Sequence, residues 1–142
     1  MTASSLRLYA RLQSAAHALK KTADRALMDA AGVTTAQAAV LAVVDGAERP
    51  TQKTVADALG LNESAVTGMA NRLTALGYLA REQDPDDRRA RLLRLTTQGE
   101  KALKRIAAPF GRINGRLDDA LGGDLDAFAA SLNRIRDAFE RG

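Results

Sequence analysis

At 142 residues, 46% of them apolar but only 4% aromatic, the chain is long enough for one domain with its own core, and its weighting towards Ala, Leu, Val and Ile favours helices. The absence of cysteine excludes disulfides, zinc–thiolate sites and thiol switches, and no run approaches the roughly 18 apolar residues of a membrane span, so a cytoplasmic protein with no membrane partner is expected. The net charge of +4 fits a polyanionic partner, but the excess is spread along the chain and does not locate a site.

No apolar segment of the signal-peptide type opens the sequence. The first helix is expected from about Ser4 to Ala30, where Leu6, Tyr9, Leu12, Ala16, Leu19, Ala23 and Leu27 recur mostly three or four apart. So long a helix exceeds what one small core covers and points to a partner subunit. Gly32 ends it. Thr34-Thr35-Ala36-Gln37 matches a capping box and leads into the apolar run Ala38–Val44, which breaks at Gly46 and Pro50.

Thr51 reads as the N-cap of a short third helix that turns Val55, Ala56 and Leu59 inward and stops at Gly60. Asn62 caps a fourth helix with Val66, Met69, Ala70 and Leu73 as its inner stripe, closed by Gly77. A short helix, a tight glycine turn and a second helix form a helix-turn-helix. The period then changes. Residues 78–82 and 91–95 read as two strands flanking the polar stretch Gln83–Ala90, in which Asp84-Pro85 starts a turn. A hairpin in that place is a wing. Thr97–Glu100 reads as another capping box, opening a long helix with Leu103, Ile106, Phe110, Ile113, Leu117 and Leu121 on one side. Pro109 inside it predicts a kink or break, and after Gly122-Gly123 Asp124 caps a last helix carrying Leu125, Phe128, Leu132, Ile135 and Phe139.

From Thr34 to Gly99 the chain resembles the MarR family, the multiple-antibiotic-resistance type of regulator. Thr34-x-x-Gln37 with Val40-Leu41 is similar to the opening of its second helix, and Asn62-Glu63-Ser64-Ala65-Val66-Thr67 through Arg72-Leu73 and Gly77-Tyr78-Leu79 to its recognition helix. Asp84-Pro85-Asp86-Asp87-Arg88-Arg89, followed by Leu95-Thr96 and Gly99, resembles its wing. The resemblance implies a mainly α fold of about six helices with a small β-hairpin. It implies a single domain over 1–142, with dimerisation helices at 4–31 and 97–140 and a winged helix-turn-helix lobe at 34–96. It also implies a homodimer on a near-palindromic operator in double-stranded DNA, and a small-molecule effector.

On the fourth helix, the face opposite the inner stripe holds Ser64, Gly68, Asn71 and Ala75, flanked by Thr67 and Arg72. Short side chains let a helix sit deep in the major groove and polar ends read base edges. Asn71 suits adenine, and Arg72 suits guanine or a phosphate. Gly68 and Asn71 depart from the family, where a basic and an acidic residue are frequent, so an operator borrowed from a relative does not transfer. The bland alternative is a solvated helix face. In the wing the resemblance makes Asp87 and Arg89 an Asp-x-Arg pair that sends the guanidinium into the minor groove, where negative potential concentrates. Arg88, Arg91 and Arg94 meet phosphates or support the hairpin, and Thr51, Gln52, Lys53, Ser64 and Thr67 are further phosphate contacts. The alternative here is a charged turn whose acids and bases pair among themselves.

His17, the only histidine, and Phe110 are expected to wall an effector crevice that Pro109 shapes. An aromatic acid is one effector class, although a structural or surface His17 is the simpler reading. One histidine without cysteine supplies no metal site. Counting from Asp84, the sixth residue is Arg89 where a calcium loop needs Gly, and the twelfth is Leu95 where it needs Glu. No phosphate-binding glycine motif and no nucleophilic triad is present, so neither cofactor nor enzyme activity is expected. A winged-helix protein-interaction module is the competing class, separated by whether duplex binding is tight and salt-sensitive.

Overall fold

The computed structural model describes residues 3–140; residues 1–2 and 141–142 of the expected domain lie outside the described residues. The order is α1 (Ala3–Ala31), α2 (Thr35–Gly46), α3 (Gln52–Leu59), α4 (Glu63–Ala75), β1 (Leu79–Asp84), β2 (Asp87–Leu95), α5 (Thr97–Leu121) and α6 (Leu125–Glu140). This is the six-helix, one-hairpin winged fold that the sequence predicts. Two compact units divide it, one reaching to Pro109 and the other starting at Phe110.

The first unit is organised by its caps. The Thr34 hydroxyl accepts from the Gln37 N–H at 3.2 Å while the Gln37 side chain accepts from the Thr34 N–H at 2.9 Å, the reciprocal box expected for α2. Thr51 caps α3, Gly60 ends it at φ 66°, and Asn62 caps α4 through the Ala65 N–H. Behind these caps Leu27, Val33, Val40, Leu41, Val55, Val66, Leu73 and Leu93 are fully buried, each stabilising by about 1.5–3 kcal/mol relative to exposure. Met69, expected with them, is only half-buried.

The strands are longer than the sequence predicts, because Gln83–Ala90 lacks the alternation that marks a half-buried strand. β1 and β2 pair antiparallel from Leu79↔Leu95 to Gln83↔Arg91 and, past an irregularity, at Asp84↔Asp87, leaving only Pro85 and Asp86 as the turn. No non-glycine residue has a positive φ among the described residues. Pro85 presets the negative φ of the first turn position, and the Asp84 carboxylate accepts from the Asp86 N–H at 2.9 Å. A third segment joins the hairpin. Thr51 pairs with Leu92, and the Pro50 carbonyl accepts from the Leu93 N–H at 2.7 Å, so the start of α3 is stitched to the wing.

Two expectations are corrected at α5. Its cap is Thr96, one residue before the expected Thr97, because the Thr96 hydroxyl accepts from the Gly99 N–H at 3.0 Å and the Glu100 side chain closes no box. Of the kink or break expected at Pro109, no break interrupts the helix, which runs from Thr97 to Leu121. Proline forfeits one backbone hydrogen bond, and Ala102, Ile106 and Pro109 itself are buried on the face that holds this stretch in place. In the second unit, the remainder of α5 turns through Gly122 and Gly123, both at positive φ, into α6, which has no buried residue. Among the described residues no single helix is long and apolar enough to cross a membrane.

Candidate nucleic-acid interface

The inner stripe of α4 leaves Ser64, Gly68, Asn71, Arg72 and Ala75 exposed and Thr67 half-buried, as its periodicity predicts. Beside this face, the N-terminal turns of α3 and α4 and the inner side of the wing enclose a hollow of about 410 Å³. Thr51, Gln52, Lys53, Glu63, Arg81, Arg89, Ala90, Arg91 and Leu93 line it. Five of the expected contact residues, from two segments some 40 positions apart in the chain, are thereby brought to one place.

Around the hollow and on the exposed α4 face, the side chains of Lys53, Arg72, Arg89 and Arg91, like that of Arg88 on the wing, make no ion pair or hydrogen bond among the described residues. Cations left unpaired on one side of a lobe leave positive potential available to an outside anion. The self-paired alternative for the wing therefore applies only in part. Arg94 is the residue that pairs inside the hairpin, its Nε 3.0 Å from the Glu82 carboxylate. Asp87 does brace Arg89, but through the main chain: its carboxylate accepts from the Arg89 N–H at 3.0 Å. Ser64 donates to the Asn62 side chain at 2.9 Å and so shares the α4 cap.

Two arginines that sequence reasoning did not select organise the site. Arg49 donates to both oxygens of the buried Asp84 at 2.5 Å and to Asp86 at 2.7 Å, clamping the wing turn to the α2–α3 connection. The Asp86 N–H and then the Arg49 guanidinium hold the Asp84 carboxyl below its ordinary range. Nothing local marks Arg49, which is 35 residues from Asp84. Arg81 donates to the Gln52 side-chain oxygen at 3.2 Å and to the Asn71 side-chain oxygen at 2.7 Å, while the Gln52 amide nitrogen donates to Thr67 at 2.7 Å. Strand alternation carried a signal for Arg81, since it lies two residues from the buried Leu79 and so faces the lobe.

The two residues expected at an effector crevice fall in different units. His17 lies on α1, where every residue from Leu6 to Thr22 is exposed, and Phe110 is half-buried in the second unit.

The sequence pattern of the MarR family matches residues 31–90. The transcriptional activatory protein BadR of Rhodopseudomonas palustris is 35% identical over 112 residues, which cover 72% of this chain but only 60% of BadR. The PcaV transcriptional regulator of Streptomyces coelicolor, solved in complex with its natural ligand, is 31% identical with a TM-score of 0.75 over 92% of this chain and 90% of PcaV. The transcriptional repressor CouR of Rhodococcus jostii, solved on a 23-mer DNA duplex, is 28% identical with a TM-score of 0.83 over 89% of each chain. With a winged helix-turn-helix lobe, a matching family pattern and relatives of this similarity, the chain belongs to the MarR family of transcriptional regulators.

Proposed function

We propose that this chain is a ligand-responsive repressor that binds a near-palindromic operator as a homodimer. The observation that carries the reading is the hollow where unpaired Lys53, Arg89 and Arg91 meet at the start of α3 and α4, on a lobe whose α4 turns a face of small and polar residues outward. That combination suits duplex DNA: the small face of α4 enters the major groove and the cations meet phosphates. Arg89, with its backbone braced by Asp87, enters the minor groove, while Arg88, Arg91, Thr51, Lys53 and the N-terminal turn of α4 at Ser64 follow the backbone.

Two such lobes must address major grooves about one turn, ~34 Å, apart. An effector that changes their separation weakens binding without touching the contacts, and it acts only to the extent that it binds the two arrangements unequally. The PcaV complex with its natural ligand supports the effector, and the CouR–DNA complex supports the operator. BadR is a transcriptional activatory protein and CouR a transcriptional repressor, so proteins similar to this chain include both signs. Repression asks least of this chain, since it needs only occupancy of a promoter and no separate surface for polymerase.

Binding to its own upstream DNA and to random duplex, at two salt concentrations and with Arg89→Ala alongside, tests the reading. Specific binding that weakens with salt is expected, and loss of Arg89 should cost about 1–3 kcal/mol. A folded protein that binds no duplex even at low salt sinks the proposal and points instead to a protein partner.

A further inference from the structure

Arg89 stands where the ladder of the hairpin gives out. The register passes directly from Gln83↔Arg91 to Asp84↔Asp87, so Arg88, Arg89 and Ala90 pair with no residue of β1. Extra residues in one strand re-aim side chains, and their direction depends on what holds the two ends of the stretch. Two bonds hold it from within the hairpin: the Asp87 carboxylate accepts from the Arg89 N–H at 3.0 Å, and the Gln83 amide donates to the Arg88 carbonyl at 3.3 Å. The ties to the lobe lie at the ends. On the far side Leu92 pairs with Thr51, and the Leu93 N–H donates to the Pro50 carbonyl. On the turn side the Arg49 guanidinium donates to both oxygens of buried Asp84 at 2.5 Å and to Asp86 at 2.7 Å. Arg49, Pro50 and Thr51 are consecutive, so one three-residue segment holds both ends. Its last residue is the N-cap of α3, whose first turn carries Gln52 and Lys53.

Resting on the DNA-binding reading above, we infer that Arg49 is a positioning residue for minor-groove recognition. It fixes Arg89 relative to α3 and α4 without itself contacting DNA. Its guanidinium is taken up by two carboxylates, so it adds no cation for the phosphates. A wing tied to the lobe at one end only would have to be ordered on binding, and a clamp set beforehand removes that cost. The same clamp keeps the minor-groove and major-groove contacts in one frame, which matters because a recognition site loses function when its supporting shell is loose.

The test uses a duplex that the wild-type full chain selects from a random-sequence library. Its affinity is measured for Arg49→Met and Asp84→Ala, each made beside Arg89 and again with Arg89→Ala. Beside Arg89, each change should weaken binding about tenfold. With Arg89→Ala, each should cost less than about twofold, because the group being positioned is gone. Asp84→Ala also separates positioning from charge. It removes an anion beside the DNA and releases a cation, so charge alone predicts tighter binding, whereas loss of the clamp predicts weaker binding. It leaves half-exposed Arg49 solvated rather than a buried carboxylate unpaired, so it decides the matter if Arg49→Met does not fold. A loss as large without Arg89 as with it, or an Asp84→Ala chain that binds as tightly as wild type or tighter, overturns the inference alone. Enrichment of no duplex by wild type defeats the DNA-binding reading and this inference with it.

Discussion

Asp24 stands where α1 passes the start of α2, and its two oxygens hold different partners. One accepts from Lys20 at 2.5 Å, the other from both the hydroxyl and the N–H of Thr35 at 2.6 and 2.8 Å. Lys20, then the Thr35 hydroxyl and the Thr35 N–H, lower its pKa from 3.8 to about 2. Because the folded pKa is the depressed one, the stabilisation is complete above the unfolded value, fades as pH falls through that window and is lost below about 2. The Lys20 side chain is largely exposed, so solvent screening reduces the worth of the group to about 1–2 kcal/mol. Asp24→Asn should lose that amount in urea unfolding at neutral pH and match wild type near pH ~2, as linkage requires. A deficit that stays constant with pH would show that the charge is not the cause. Asp84 responds in the same direction, so acid should also loosen the wing turn that Arg49 and the Asp86 N–H hold.

Elements are set by caps and turns, and the turn between α3 and α4 matters most for the interface. Gly60 lies at φ 66° with open space around its Cβ position, and its N–H together with that of Leu61 closes the end of α3 onto the Ala56 and Asp57 carbonyls. Gly60→Ala meets no clash but places a Cβ in the left-handed region, at a cost of roughly 1–2 kcal/mol. Thermal unfolding should show that loss, and DNA affinity should fall with it, since this turn aims α4. Unchanged stability would mean the turn relaxes to another geometry. The α2 capping box and the αL glycine are legible because each is a signal within a few residues, whereas the Thr97–Glu100 pattern misplaces the α5 cap by one residue. The length of the strands is not legible, because the polar run Gln83–Ala90 is held in β1 and β2 by cross-strand pairing and by the Arg49 clamp rather than by its own pattern.

For the whole molecule, the informative surfaces are apolar ones left in water. Leu6, Leu8, Tyr9, Leu12 and Leu19 on α1 and Phe128, Leu132, Ile135 and Phe139 on α6 are all exposed, Phe139 at 83%. A monomer rarely leaves this much large apolar side chain in solution, and the length of α1 had already pointed to a partner subunit. The homodimer that we propose covers these faces. Light scattering over a dilution series should give twice the chain mass down to low concentration, and Leu132→Glu should shift it to monomer and abolish operator binding. A monomeric wild type at high concentration would rule out the homodimer.

The sequence by itself determined the order of elements, the caps of α2, α3 and α4, the outward face of the recognition helix and the family, because these depend on periodicity, on local hydrogen bonds and on short motifs in register. Tertiary structure decided what the side chains do there. Arg49 reaches the wing turn, and Arg81 reaches Gln52 and Asn71, only because the hairpin folds back onto the lobe and pairs with Pro50 and Thr51. Asparagine in the sequence has both a donor and an acceptor to offer a base. An arginine ten residues away donates to its amide oxygen, and no local pattern records that contact.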